Sequence, residues 1–178
     1  MLLIVESGST KADWMLIKEE GSIPYNTKGF NPLFHGKEDI LLELNNHLEL
    51  DLIKNKITEI YFYGAGCSSP ELNSKIEAGL SSFFQNAKIY IGHDLLACAL
   101  SLYDGKPLIA SILGTGSNSC YYDGENLKEE VPALGYILGD EGSGSFFGKR
   151  ILADYIYNRL PDVMMKELSN QGLTKDNI

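Results

Sequence analysis

Leu2-Leu3-Ile4-Val5-Glu6-Ser7-Gly8-Ser9-Thr10-Lys11-Ala12-Asp13-Trp14-Met15-Leu16-Ile17 is the stretch on which the fold turns. Leu2 to Val5 is a short apolar run fit for a buried strand, Ser7-Gly8-Ser9 is turn chemistry, and Ala12 to Ile17 predicts a second strand. Downstream, Glu19-Glu20-Gly21-Ser22 predicts a hairpin turn into a third extended stretch. After Gly36 the period lengthens, and Leu41, Leu44 and Leu48 fall on one helical face. Ile60 to Tyr63 predicts a strand ending at Gly64-Ala65-Gly66. Pro70 marks a helix start, with Leu72, Ile76, Leu80 and Phe83 as its buried stripe. Ile89 to Ile91 is a further strand, followed by a helical face of Leu96, Ala99, Leu100 and Tyr103. Three strands and then alternating helices and strands predict an α/β fold with a mixed sheet, parallel where strands alternate with helices.

Asp104-Gly105-Lys106-Pro107 separates this half from a second that restarts the plan, which predicts domains at 1–105 and 106–178. Leu108 to Leu113 is a strand, Gly114-Thr115-Gly116-Ser117 a tight turn, Ser119 to Tyr122 a strand and Asp123-Gly124 a hairpin turn. Phe147, Ile151 and Tyr155 lie at helical spacing, and Pro161 starts or interrupts a last helix running into a polar C-terminus. Eight of the 18 glycines lie between Gly114 and Gly148, a density that calls for close backbone approach.

The chain has 178 residues and a net charge of -9, which argues against nucleic acid or an anionic membrane as partner and leaves small anions held by backbone amides. No signal-like segment or long apolar run is present, and Cys67, Cys98 and Cys120 are too far apart for metal pairs. They read as reduced, buried thiols of a cytoplasmic protein.

Four segments are candidates for chemistry. Glu6 to Asp13 can aim amides and hydroxyls at phosphate oxygens and offer a carboxylate to hydrated Mg²⁺, or it is an ordinary polar hairpin. It is not a Walker A loop. Leu113 to Ser119 has the same donors, so together the two turns suggest a clamp on a polyphosphate. Asp94, where a strand meets a helix, is either that helix's N-cap or a general base on a substrate hydroxyl, while His93 reads as structural. Gly135 to Ser145 offers Asp140 and Glu141 as acceptors for neutral hydroxyls, as on a sugar, with a helix-cap role for Asp140 as the alternative.

Glu6-Ser-Gly-Ser-Thr-Lys11, Gly29-Phe-Asn-Pro32, His93-Asp94, Leu113-Gly-Thr-Gly-Ser-Asn118 and Leu138-Gly-Asp-Glu-Gly-Ser143, in that order, resemble the N-acetylglucosamine kinases and the related BadF/BadG/BcrA/BcrD-type ATPases. These belong to the actin-like, Hsp70-like and sugar kinase ATPase superfamily. The resemblance implies a ribonuclease H-like lobe followed by an incomplete second lobe of the same type. It implies ATP and Mg²⁺ as cofactors and phosphoryl transfer to the 6-hydroxyl of N-acetylglucosamine or a related hexosamine. Ser9, Thr10 and Lys11 would form the first phosphate turn, Thr115 and Gly116 the second, and Glu6 would serve the metal. Asp94 would be the base. Asn31, Ser117, Asn118, Gly135, Tyr136 and Asp140 would contact the sugar.

Two departures bear on what this chain does. Ala133-Leu134 stands where better-known sugar kinases carry glycines or an aromatic, which bears on sugar identity. The family's adenosine-binding segment has no counterpart before Ile178, so the expectation is a half-built ATP site, weak or absent kinase activity and self-association. A sugar sensor and a partner-driving ATPase stay open as other classes, although no cysteine is placed for the latter's iron–sulfur cluster. Glucokinases of the repressor type are disfavoured, because their zinc motif is not present.

Overall fold

A computed structural model describes residues 1–174; Lys175 to Ile178, the end of the polar C-terminal run, lie outside the described residues. β1 (Leu2–Ser7), β2 (Lys11–Lys18) and β3 (Gly21–Lys28) form an antiparallel meander, while β4 (Glu59–Gly64) and β5 (Lys88–His93) add in parallel beyond β1. The order β3-β2-β1-β4-β5 is the mixed sheet expected of three strands followed by helix-linked strands.

Alternation along the strands sends one set of side chains into the core. Leu3, Val5 and Ser7 face Leu16, Trp14 and Ala12 across the β1–β2 ladder, and all six are buried. Trp14 sits at the centre, edge-on to Phe30 at 6.3 Å, with its Nε1 donating to Thr27 Oγ1 at 2.9 Å. Each such large apolar side chain contributes about 1.5–3 kcal/mol by leaving water. Of the Leu2–Val5 run, read as fit for a buried strand, Leu3 and Val5 are buried and Ile4 is exposed. Ile4, Met15 and Tyr90 lie on an exposed face, where Tyr61 and Tyr90 stack with ring centroids 4.6 Å apart. Among the described residues this face stays partly open, which alternation permits in an antiparallel meander.

The covering layer is helical. α1 (Lys37–Asn45) buries Ile40 and Leu44, and α3 (Pro70–Phe83) buries Ile76, Leu80 and Phe83. α3 starts where Pro70 indicates, with Ser69 Oγ accepting from Leu72 N at 3.3 Å. A Cβ on Gly79 would lie 2.8 Å from Ile40, so α1 and α3 touch through a glycine. The predicted Leu41–Leu44–Leu48 stripe is corrected: Leu48 is 71% exposed and opens a separate α2 (Leu48–Ile53), capped by the His47 ring. The turn at Asn46–His47 breaks the helical phase.

α4 (Asp94–Leu102) follows β5 directly and buries Leu95 and Ala99 against β6 (Leu108–Leu113) and β7 (Ser117–Tyr122), in a second small core with Ala110, Cys120 and Tyr122. Leu100, expected on its buried face, is exposed, because the sheet contacts only one stripe of the helix, and Tyr103 lies just past the end of α4, where its ring packs edge-on against Tyr122 at 5.4 Å. β6, β7 and β8 (Leu127–Lys128) make an antiparallel sheet in that order, the restart of the meander. The strand after the second turn begins at Ser117, two residues earlier than its sequence suggested.

α5 (Gly135–Leu138), α6 (Gly144–Ile156) and α7 (Asp162–Asn170) complete the described chain, with Pro161 just ahead of α7. On α6 the expected apolar stripe holds only at Tyr155; Phe147 is 56% exposed. α6 meets the second sheet through its first amides, and that end-on approach leaves its N-terminal apolar residues open. Among the described residues, no helix is long and apolar enough to cross a membrane.

Candidate functional site

The β1–β2 register pairs Glu6 with Asp13 and Ser7 with Ala12, which leaves Gly8, Ser9 and Thr10 as the turn. Gly8 N–H donates to Lys11 O at 3.0 Å and closes it. The strap after β3 braces the turn from behind. Phe30 N–H donates to the buried Ser7 Oγ at 2.8 Å, and Asn31 Nδ2 donates to Ser9 Oγ at 3.0 Å. Glu6 and Asp13 are like charges directly opposite each other, a costly cross-strand pair that Lys11 offsets through a 2.7 Å contact to Asp13. Burial, then the carboxylates of Asp94 and Asp13, push the Glu6 pKa above its ordinary value, with Lys11 opposing.

The second turn is held from the opposite direction. Leu113 pairs with Ser117, and Gly114 N–H donates to Gly116 O at 2.9 Å. The first amides of α6 take up its carbonyls: Gly144 N–H donates to Gly114 O at 2.9 Å and Ser145 N–H to Thr115 O at 3.2 Å. Asp140, at φ 60°, accepts Ser117 N–H through Oδ1 at 3.1 Å. A Cβ on Gly116 would stand 3.0 Å from that oxygen, so glycine gives the carboxylate its approach. The helix-cap alternative for Asp140 falls, because α6 is capped by Ser143 Oγ, which accepts Phe146 N–H at 3.1 Å.

Between the turns, β5 ends at His93 and α4 begins at Asp94, at the carboxyl edge of the parallel strands. His93, not Asp94, occupies the N-cap position. His93 Nδ1 lies 2.9 Å from Asp94 Oδ1 and 3.4 Å from Leu95 N, while Leu95 N–H reaches Asp94 Oδ1 at 2.8 Å. A nitrogen that gives its proton to Asp94 cannot also accept, so the Leu95 amide belongs to Asp94. The bond to Asp94 raises the His93 pKa against the lowering effect of burial. Asp94 Oδ2 has no hydrogen-bond partner among the described residues.

These pieces enclose one cleft of about 420 Å³. Glu6, Ser9, Thr10 and Lys11 line it from the first turn, Thr115, Gly116, Ser117 and Asn118 from the second, with Asp94 and Asp140 between. Asn31 is not on its surface; it is 5% exposed and stands behind Ser9. Gly135 and Tyr136 are outside the cleft, on α5, where the Tyr136 ring lies 4.2 Å from Lys149 Nζ. Asp13, Gly66 and His93 also line the cleft; sequence reasoning held Asp13 only as the end of the first candidate segment with no role of its own, read His93 as structural and did not include Gly66. For Asp13 the signal was available, since a hairpin closing at Gly8 puts position 13 opposite position 6.

For Mg²⁺ the donor chemistry is suitable but sparse. Among the described residues no three His, Cys, Asp or Glu side chains converge as a metal site. An ion held by one carboxylate, phosphate oxygens and water matches how Mg²⁺ accompanies nucleotides, and the Glu6 position fits that part.

The Glu6 shift carries a pH prediction. The folded protein holds this proton more tightly than the unfolded chain does, so the cost is absent well below the ordinary value of 4.5 and grows as pH rises through the raised value. Glu6 faces solvent, and screening keeps the effect small. Glu6→Gln is expected to raise the melting midpoint by about 1–2 °C near neutral pH without divalent cations, and not near pH 4. Thermal scans at the two pH values check this; an equal shift at both contradicts the electrostatic cause.

No family model and no curated protein sequence matches the chain. Solved structures do. The putative N-acetylglucosamine kinase of Porphyromonas gingivalis is 37% identical over 99% of this chain, with a TM-score of 0.90. The putative N-acetylglucosamine kinase of Chromobacterium violaceum is 20% identical over 86%, with a TM-score of 0.67, a likeness of fold. The chain spans 64% of the length of the first and 56% of the second. By these matches and by its mixed sheet followed by a second, smaller one, the chain has the actin-like ATPase and sugar kinase fold, and its structural relatives are putative N-acetylglucosamine kinases.

Proposed function

We propose that the chain carries the phosphate- and sugar-binding core of an ATP-dependent hexosamine kinase of the N-acetylglucosamine kinase type. The observation that carries this reading is the convergence of both glycine turns and Asp94 on one cleft. In it, lobes 1–105 and 106–178 each present a turn to the nucleotide's phosphates, through Ser9, Thr10 and Lys11 on one side and Thr115 and Gly116 on the other. Ser117, Asn118 and Asp140 grip the sugar hydroxyls. Asn31 acts from behind by fixing Ser9, and Gly135 and Tyr136 take part only if α5 moves inward on binding.

Asp94 does the proton work. One of its oxygens is engaged by Leu95 N–H and His93, and Oδ2 is left to accept the proton of the 6-hydroxyl. As O6 bonds to the γ-phosphorus, the bond from that phosphorus to the β–γ bridging oxygen breaks and ADP departs. Little covalent chemistry falls to the protein; alignment and charge stabilisation supply most of the acceleration. Mg²⁺, arriving with ATP beside Glu6, would neutralise phosphate charge.

Titration calorimetry with N-acetylglucosamine alone, ATP·Mg²⁺ alone and both together tests the reading, with sugar-dependent ADP release as the activity readout. Binding of both ligands is the expected result. Sugar binding alone would make the chain a sugar sensor, nucleotide binding alone an ATPase that drives a partner, and neither would overturn the site.

A further inference from the structure

Asp94 is aimed by its neighbours. The last torsion of an aspartate is broad and roughly twofold, so a carboxylate held by one donor can turn about that bond, exchange its two oxygens or swing the free one out of line. Leu95 N–H, from the first turn of the helix that Asp94 itself begins, is one such donor. The second comes from a different element. His93 closes β5, with its backbone in register with Gly64 of β4, and its Nδ1 stands 2.9 Å from the same Asp94 Oδ1. One oxygen is therefore tied to the sheet and to the helix at once, which leaves Oδ2 a single direction.

The charges around the ring suit a donor. Asp94 acts on it from α4, and Glu129, next to β8, acts from the side of the second sheet, where it also accepts Asn118 Nδ2 at 3.0 Å. Glu6, Lys11, Asp13 and Asp140 line the same cleft. The bond to Asp94, and after it the charges of Asp94 and Glu129, favour the imidazolium against burial. An imidazolium carries a proton on both nitrogens, so Nδ1 donates whichever tautomer the neutral ring would take. We propose that His93 is a positioning residue for the transfer: donating through Nδ1 to Asp94 Oδ1, it sets the rotation of the carboxylate so that Oδ2 meets the sugar's 6-hydroxyl. The inference rests on the reading of Asp94 as the base. A reacting group misplaced by about 1 Å loses on the order of 100-fold in rate, so a side chain that touches no substrate still has a large lever.

The test on the full chain reads binding as well as turnover. Calorimetry compares N-acetylglucosamine with its 6-deoxy analogue, which lacks the hydroxyl that Oδ2 would meet, and sugar-dependent ADP release gives kcat and KM. The unmutated chain is expected to favour the 6-hydroxyl sugar by about fivefold, the net contribution of one ordinary hydrogen bond. His93→Ala is expected to reduce that preference below about twofold and to lower kcat at least about tenfold, with the KM for ATP·Mg²⁺ kept within about twofold. His93→Asn should recover a preference of at least about threefold and most of kcat, because its amide can donate from the place of Nδ1. His93→Ser separates positioning from helix capping. Serine caps a helix about as well as asparagine but holds its hydroxyl one bond short of the Nδ1 position, so it should behave like alanine. The asparagine and serine variants carry the comparison should the alanine variant fail to fold, and the affinity ratio decides alone should the chain bind sugar without turning it over. Equal rescue by serine and asparagine would make His93 a cap only and overturns the proposal. So does an alanine variant that keeps the preference for the 6-hydroxyl. If the unmutated chain binds both sugars alike, or neither, Asp94 does not meet O6, and the reading of Asp94 as the base falls together with this inference.

Discussion

Asp94→Asn is expected to lower sugar-dependent ADP release by at least about 100-fold, the lower end of what a positioned general base contributes, while N-acetylglucosamine still binds within a few-fold. The argument lies in how Asp94's two oxygens are used. Oδ1 already accepts Leu95 N–H at 2.8 Å and stands 2.9 Å from His93 Nδ1. An asparagine can keep its carbonyl oxygen on those two donors. The atom it changes is the one facing the cleft, which becomes an NH₂ that cannot take a proton. Stability should therefore change little, and the melting midpoint by only about 1–3 °C. Turnover, sugar titration and thermal melting of the same preparation check the three parts. A variant that loses its fold with its activity would reduce Asp94 to a residue that starts α4, and one that keeps full turnover would remove it from the chemistry.

What the sequence discloses about this protein follows from how local each signal is. The β1–β2 hairpin was legible because both strands alternate or run apolar and the turn residues lie between them. The second turn was legible for the same reason, and the likeness of the two halves suggested that they would face each other. Asp94 was legible from its position where strand gives way to helix. Other features depend on contacts that no local pattern encodes. Periodicity predicts the phase of a helix but not where the chain turns, so Leu48 was joined to a stripe that ends before the turn at Asn46–His47. It also does not say whether a neighbour covers the apolar side, as Leu100 and Phe147 show. An apolar run such as β1 reads as a buried strand, and only its partner strands reveal that Ile4 lies on an exposed face. The family resemblance implied that Asn31 contacts the sugar. Its bond to Ser9, 22 positions away, is a fact of tertiary packing and makes it a brace for the first turn.

The same brace carries the second large effect. Gly29→Ala is expected to cost about 3 kcal/mol of stability, at the upper end of overpacking penalties, and to lower the melting midpoint by about 10 °C. A Cβ at position 29 would lie 2.0 Å from Gly8 O, with Gly8 C and Lys11 N both at 2.9 Å. The obstacle is backbone rather than the end of a flexible side chain, so no rotamer change relieves it. Either the strap retreats or the turn does. Retreat of the strap pulls Phe30 N–H off the buried Ser7 Oγ and Asn31 off Ser9, and displacement of the turn opens the Gly8 N–H to Lys11 O closure. Both routes move Ser9, Thr10 and Lys11, so nucleotide affinity should fall at least about tenfold even where the variant remains folded. Gly21→Ala serves as the control. Gly21 also lies in the first sheet, at positive φ with open space around it, so its loss costs backbone strain without touching the cleft. Melting curves and ATP·Mg²⁺ titrations of the two variants separate the effects. Loss of stability in both with nucleotide affinity kept in both would mean that the first turn does not hold phosphate, whereas selective loss of affinity in Gly29→Ala ties the strap to the site.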